Sequence, residues 1–285
     1  MKLTSKPCDL EKITKAFPSP RVLVPTMGAL HEGHLTLVRR ARKIAGKSGT
    51  VILTLFVNPT QFDKAEDLDK YPRTLDDDLD LCRENGVDVV FAPEPDSMYH
   101  PDHSVTVIEA ALTGQLCGAT RPGHFDGVCT VVLKLINLTQ PDTAIFGKKD
   151  YQQLAVIRRI VRDLNVQVCI EGVDTVREDS GLALSSRNAR LTKSQHTDAP
   201  RIRRALLAAQ TAYHGGEKSA QALLNIAREE VESSSEGAVI DYLELLDATS
   251  LQAVDPVTSP AIMATAVFYD AVRLIDNIEL VSDKV

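Results

Sequence analysis

The residues best equipped for chemistry are two histidines three positions apart, His31 and His34, at the end of the stretch "VPTMGALHEGH". They flank Gly33, where the apolar run "RVLVP" gives way to a helical pattern. Three readings fit that spacing. As cap residues, the pair would only satisfy the first turn of a helix. As metal ligands, they fall one residue short of the H-E-x-x-H zinc signature, and no nearby cysteine–histidine cluster offers further ligands. At the carboxyl end of a parallel strand, they would meet a phosphate. There the helix start supplies unpaired N–H groups and a positive dipole end. Gly28 lets the loop turn, and Gly33 lets a base or phosphate approach the backbone. Imidazole N–H groups then meet charge as it builds on phosphoryl oxygens. The chain has no G-x-x-x-x-G-K-[ST], and no G-x-G-x-x-G opens this helix.

Four more segments carry usable groups. In "FVNPTQF", Asn58 and Gln61 offer neutral amides suited to hydroxyls or a carboxylate, against a plain N-P turn. In "YPRTLDDDL", Asp76, Asp77 and Asp78 read as a solvated helix start or a Mg²⁺ site. In "FGKKDYQQL", Gly147, Lys148, Lys149 and Asp150 stand where a strand hands over to a helix. A lysine there can balance phosphate and Asp150 can accept from ribose hydroxyls, or both are solvated helix-start charges. In "LSSRN", Leu184 to Asn188, two hydroxyls and Arg187 can close over phosphates.

These segments need a scaffold. Short, β-branched, often continuously apolar runs at 21–25, 50–57, 87–93, 143–147 and 166–170 suggest strands covered on both faces. Between them run helical spacings: His34, Leu37, Val38, Ala41, Ile44 and Ala45 up to Gly46; Thr74 to Gly86, with Asp77 in a loose capping box; and Leu154, Ile157, Val161 and Leu164 on one face. The expected fold is α/β, a doubly wound, Rossmann-like parallel sheet over residues 1–174. A smaller α+β domain is expected over 175–285, entered through a hinge of small and polar residues that carries the Ser-Ser-Arg loop as a lid. Thr192 and Gln195 form a capping box for one helix running to Gly215, and Ala220 to Glu232 form another. Strand-like runs at 238–247 and 261–275 follow.

Composition sets outer bounds. The 285 residues are 44% apolar and 25% charged, with a net charge of −7. That acidic balance argues against a nucleic-acid binder yet permits a local basic cluster for an anionic substrate. No apolar run approaches a membrane span, the start lacks a secretory apolar core, and five scattered cysteines suit a cytoplasmic address.

H-x-G-H after the first long strand resembles the nucleotidylyl-transferase superfamily and class I aminoacyl-tRNA synthetases, and "LSSRN" resembles a shortened K-M-S-K-S loop. With "RPGHFDGVCTVVLKL" and "RLIDN" added, the motifs resemble, in order, the pantoate–β-alanine ligase (pantothenate synthetase) family. The resemblance implies ATP-dependent condensation of pantoate with β-alanine through a pantoyl adenylate, giving pantothenate, AMP and diphosphate. It implies that Met27, Gly28, Ala29, Leu30, His31, Glu32, Gly33 and His34 hold ATP, with His34 as proton donor. Gly147, Lys148, Lys149, Asp150, Val176, Leu184, Ser185, Ser186 and Arg187 would complete the nucleotide site. Lys149, Ser185, Ser186 and Arg187 would meet the phosphates with Mg²⁺, and the catalytic set would be His31, His34, Lys149 and Arg187. Gln61 and Gln153, with Asn58, would grip pantoate, and Gln61 would border β-alanine. The resemblance also implies a homodimer, without nucleic-acid or membrane partners. Two departures stand out: Lys148 replaces a usual glutamate, and "YDAVRLIDN" lacks a usual glycine before "RLIDN". A nucleotidylyl-transferase making a stable conjugate, an ATP-binding module without catalysis and a tRNA-synthetase fragment are the rival readings. The paired glutamines, the intact H-x-G-H and "LSSR", and the acidic balance argue against them in turn.

Overall fold

The structure is a computed structural model that describes residues 1–63, 65–258 and 260–281. The last four residues of the expected 175–285 domain therefore lie outside the described residues. The chain divides into two compact units. The first holds 1–110, 121–148 and 153–174; the second holds 111–120, 149–152 and 175–285.

The first unit is built on six parallel strands: β1 (Lys2–Thr4), β2 (Arg21–Thr26), β3 (Thr50–Leu55), β4 (Val89–Phe91), β5 (Thr143–Gly147) and β6 (Cys169–Val173), in the order β1-β4-β3-β2-β5-β6. Every residue of β3 is buried, as the continuous apolar run requires of a strand covered on both faces. The helix Glu32–Ala45 lays Leu37, Val38, Ala41 and Ala45 on Val22, Val24, Val51 and Leu53, and Gly46 ends it at φ 64°. From β2 the chain moves outward to β3 and β4, then returns to the other side of β2 with β5. That reversal makes the carboxyl ends of β2 and β5 the ligand-binding edge of a doubly wound sheet.

The second unit carries the antiparallel sheet β7 (Val239–Asp247), β8 (Ala261–Tyr269) and β9 (Val272–Leu280). The helices Arg201–His214 and Ala220–Glu232 share its core through Leu206, Ala209, Leu223 and Ala227, packed with Leu245, Met263 and Leu274. The doubly wound parallel sheet and the smaller α+β part are both present.

Five local expectations differ. The last parallel strand starts at Cys169 instead of Val166, because Asn165 takes a left-handed turn and Val166 donates back to the Val161 carbonyl. The helix after Gln195 is two helices, Lys193–Asp198 and Arg201–His214, since Pro200 has no N–H to continue the first. The run 261–275 is not one strand: it folds at Asp270 (φ 49°), pairing Tyr269 with Val272, a turn that an Asp-Ala dipeptide does not advertise. Thr74 precedes the Leu75–Glu84 helix without a side-chain cap bond. Leu164 lies beyond the Tyr151–Asp163 helix and is exposed, while Val156 and Ile160 join Leu154 and Ile157 in the core.

The expected capping box is present. Thr192 and Gln195 cap each other reciprocally, with Gln195 N donating to Thr192 Oγ1 (3.2 Å) and Thr192 N to Gln195 Oε1 (3.0 Å).

Candidate active site

Strand β2 ends at Thr26, whose hydroxyl donates to the Thr54 carbonyl (2.6 Å) and accepts from Gly28 N (3.3 Å). The next residues include two with left-handed backbone, Gly28 at φ 84° and Ala29 at φ 51°. For alanine this conformation costs of order 1 kcal/mol, so something must hold it. Asp78 does, accepting from Ala29 N (3.0 Å) and Leu30 N (2.8 Å). The residue is 2% exposed. A Cβ at position 28 would stand 3.0 Å from Asp78 Oδ2, so the loop needs glycine there as well. The sequence offered Asp76, Asp77 and Asp78 as equals, but Asp76 and Asp77 are exposed. Asp78 is the positioning residue that local reading missed.

The held loop delivers His31 to the N-cap of Glu32–Ala45. His31 Nδ1 accepts from Gly33 N (3.1 Å), and His34 Nδ1 accepts from His31 N (3.3 Å). The rings stack with centroids 4.0 Å apart. An imidazole that accepts at Nδ1 while neutral carries its proton on Nε2. The cap therefore fixes both tautomers and puts an Nε2–H donor on each ring at the start of a helix, at the strand's carboxyl edge. The cap uses Nδ1 of each ring, so it does not by itself exclude the phosphate reading. Glu32 is different, because its carboxylate is drawn along the helix to Arg39. Among the described residues no group of three or more His, Cys, Asp or Glu is placed to hold a metal.

Met27, the first residue of this loop, accepts at Sδ from Gln61 Nε2 (3.2 Å). Gln61 Oε1 in turn accepts from Asn58 Nδ2 (3.0 Å). Asn58 is fully buried, donates also to the Gly127 carbonyl (3.2 Å), and accepts at Oδ1 from Tyr99 OH (2.8 Å) and Thr60 Oγ1 (3.0 Å). Asn58, which the resemblance groups with Gln61 at the substrate, thus has its amide bonded within the protein and directed to Gln61. Gly127 makes this packing possible, since a Cβ there would lie 2.5 Å from the Thr60 carbonyl oxygen. His124 Nδ1 and Arg121 Nη2 hold the Gln61 carbonyl at 2.7 and 3.2 Å.

At the end of β5, Gly147 has open space where a Cβ would stand. Lys148 pairs with Asp174 (2.7 Å), so its charge is matched locally where a glutamate was expected. Gln153, half-buried, follows on the Tyr151–Asp163 helix. Its neighbour Gln152 is buried and donates to the Leu112 and Gln115 carbonyls, a structural role.

In the second unit, Lys149 stands 3.6 Å from Asp150 Oδ2, and its carbonyl accepts from Asn277 Nδ2 (2.9 Å). This gives "RLIDN" its purpose. Asp276 receives both guanidinium nitrogens of Arg177 (2.6 and 2.8 Å), and Asn277 anchors the Lys149 backbone. The segment expected as a loose hinge is a bonded hairpin. Arg177 pairs with Ala183, Gly181 turns at φ 92°, and Leu184 N donates to the Val176 carbonyl (2.9 Å). That bond brings Val176 beside Leu184, two positions that the resemblance had grouped. Ser185 then caps the short turn Ser186–Arg190 by accepting from Arg187 N (3.2 Å). Lys149 and Ser185 line one cavity with Leu182, Ile202, Arg203 and Asp276.

Comparison with known proteins bears on the family and the fold. The family model described as Pantoate-beta-alanine ligase matches residues 3–279. A pantothenate synthetase of Akkermansia muciniphila is 53% identical over 259 residues, covering 91% of this chain and 92% of that protein. The crystal structure of pantothenate synthetase from Thermus thermophilus superimposes with a TM-score of 0.91 at 43% identity, covering 99% and 100% of the two chains. The pantoate-β-alanine ligase of Francisella tularensis, complexed with β,γ ATP and β-alanine, gives a TM-score of 0.80 at 31% identity, covering 98% and 97%.

Proposed function

The chain belongs to the pantoate–β-alanine ligase family, and we propose from that premise how its own residues carry the ligation. The reaction joins pantoate to β-alanine at the expense of ATP. A carboxylate has no leaving group that an amine can displace, so it is first activated. Pantoate's carboxylate oxygen attacks the α-phosphorus of ATP and pyrophosphate leaves. The β-alanine amine then attacks the pantoyl carbonyl and AMP leaves with the bonding electrons.

The observation that carries this reading is the stacked, tautomer-fixed pair His31 and His34 with their Nε2–H donors at the end of β2. Donors held before the substrate arrives need no reorganisation as charge develops, which is where electrostatic catalysis gains most. Met27 to His34 and Gly147 are assigned to the nucleotide, with Asp150 and Val176. Lys149, Ser185, Ser186 and Arg187 are assigned to the phosphates. Gln61 and Gln153 are assigned to pantoate, with Asn58 behind Gln61. Mg²⁺ is assigned to the phosphates as their companion ion, since the described residues offer no cluster of protein ligands for it. The five cysteines are unpaired, which supports a reducing, cytoplasmic setting, and no helix among the described residues is long and apolar enough to cross a membrane.

One exchange assay tests the chemistry and the pantoate assignment together. Labelled pyrophosphate should enter ATP when pantoate is present and β-alanine is absent. Exchange that waits for β-alanine would overturn the adenylate pathway. In the same assay Gln61→Ala should raise the pantoate requirement far more than the ATP requirement, because a buried polar group loses its partner. Equal losses for both substrates would remove Gln61 from the pantoate site. The homodimer belongs to this proposal too: sedimentation equilibrium should return twice the chain mass, and a monomer mass would refute it.

A further inference from the structure

The cavity of the second unit contains one cation that no motif accounts for. Arg203, on the helix Arg201–His214, lines it together with Lys149, Ser185 and Asp276. Arg203 is half-buried and has neither hydrogen bond nor ion pair among the described residues. The nearby carboxylate is already committed, because Asp276 is 4% exposed and takes a bidentate grip from Arg177. Burial, and then the adjacent Arg177 charge, pull the Arg203 pKa below its ordinary value, with Asp276 opposing them. The guanidinium stays charged at neutral pH even so.

A structural arginine in such a place is normally paired, since an uncompensated buried charge is costly. Here the apolar walls Leu182, Ile202 and Leu274 can cover the stem, but among the described residues no carboxylate pairs with the head, and the nearby Asp276 is already held by Arg177. Part of the dehydration needed to bind an anion has therefore already occurred on folding. Lys149 and the Ser185 hydroxyl beside it are also donors, so the cavity offers a cation-rich set with its one carboxylate engaged. Arginine's planar fork suits two oxygens of one phosphate. We propose that Arg203 contacts phosphate oxygens of ATP, and of the pyrophosphate released from it, alongside Lys149 and Ser185. The proposal rests on the ATP-dependent ligase reading above and adds a residue to it.

The test is pyrophosphate–ATP exchange measured on the parent protein, Arg203→Gln and Arg203→Lys, with thermal unfolding of each. Arg203→Gln should raise KM for both pyrophosphate and ATP about tenfold, the scale of one charge-assisted contact, and leave KM for pantoate unchanged. Arg203→Lys should recover part of that loss by keeping the charge. Unchanged KM for pyrophosphate and ATP, with or without a lower Tm, would make Arg203 a structural residue and overturn the proposal. A rise in KM for pantoate alone would overturn it as well, by assigning the cation to a carboxylate. Should Arg203→Gln fail to fold, Arg203→Lys decides by itself: a raised pyrophosphate KM at constant pantoate KM upholds the contact, and an unchanged one removes it. If the parent protein showed no pantoate-dependent exchange, the ligase reading itself would fall, an outcome separate from any effect of the variants.

Discussion

Replacing His34 by alanine should lower the rate of adenylate formation by about 10²-fold or more, the scale of losing one preorganised donor to developing charge. The substitution takes away an Nε2–H donor and also the Nδ1 acceptor that receives His31 N. Its stability cost should stay near that of a lost cap, about 0.5–2 kcal/mol, because the ring is half-buried rather than packed in the core. Single-turnover adenylation and thermal unfolding on one variant separate the possibilities. A modest fall in Tm with near-normal adenylation would leave His34 a cap residue only. Inactivation of the parent protein by a chelator in excess Mg²⁺, with metal released on substitution, would make the pair a metal site instead. The expected protein is folded and nearly inactive.

The second large effect should follow Asp78→Ala. Asp78 touches no substrate in this scheme; it holds the left-handed loop that sets the histidine cap. Removing it strands the N–H groups of Ala29 and Leu30 in partly buried surroundings, at about 1–3 kcal/mol for each group left unsatisfied. It also frees Ala29 to leave its unfavourable φ. Both Tm and exchange rate should fall, and the rate should fall further than the folded fraction explains. Asp76→Ala and Asp77→Ala are the controls, since exposed positions away from such contacts usually stay within about 0.5 kcal/mol. If all three substitutions behaved alike, the positioning role would be lost. The conservative Asp78→Asn keeps one acceptor oxygen, so it should restore part of the rate if orientation of the loop is what matters.

These two expectations mark different kinds of legibility. His34 was visible because its signal is local: two histidines, a glycine and an amphipathic run lie within one helical turn of each other. The same is true of the Glu32–Ala45 helix with its Gly46 stop, the strands at 21–26 and 143–147, and the Thr192–Gln195 cap. Each is governed by residues no more than about four positions apart, the reach of a backbone turn. The family resemblance added what spacing could not, the identity of the substrates.

What remained hidden depends on partners far away in the chain. Three adjacent aspartates are equivalent until one is buried against a loop 48 residues earlier. Asn58 reads as an isolated amide after a strand until Tyr99 and Gly127, 41 and 69 residues on, bond its side chain. "RLIDN" reads as a tail motif until Asn277 reaches Lys149, 128 residues back, and Asp276 takes Arg177, leaving Arg203 without a hydrogen-bonded partner among the described residues. Sequence alone thus determined where strands hand over to helices and which residues stand at those handovers. The tertiary structure decided which polar groups the protein satisfies and with which distant partners. That division has a physical cause: turn geometry and periodicity are set by near neighbours, whereas the desolvation of a polar group and its repayment by a partner depend on what folding brings beside it.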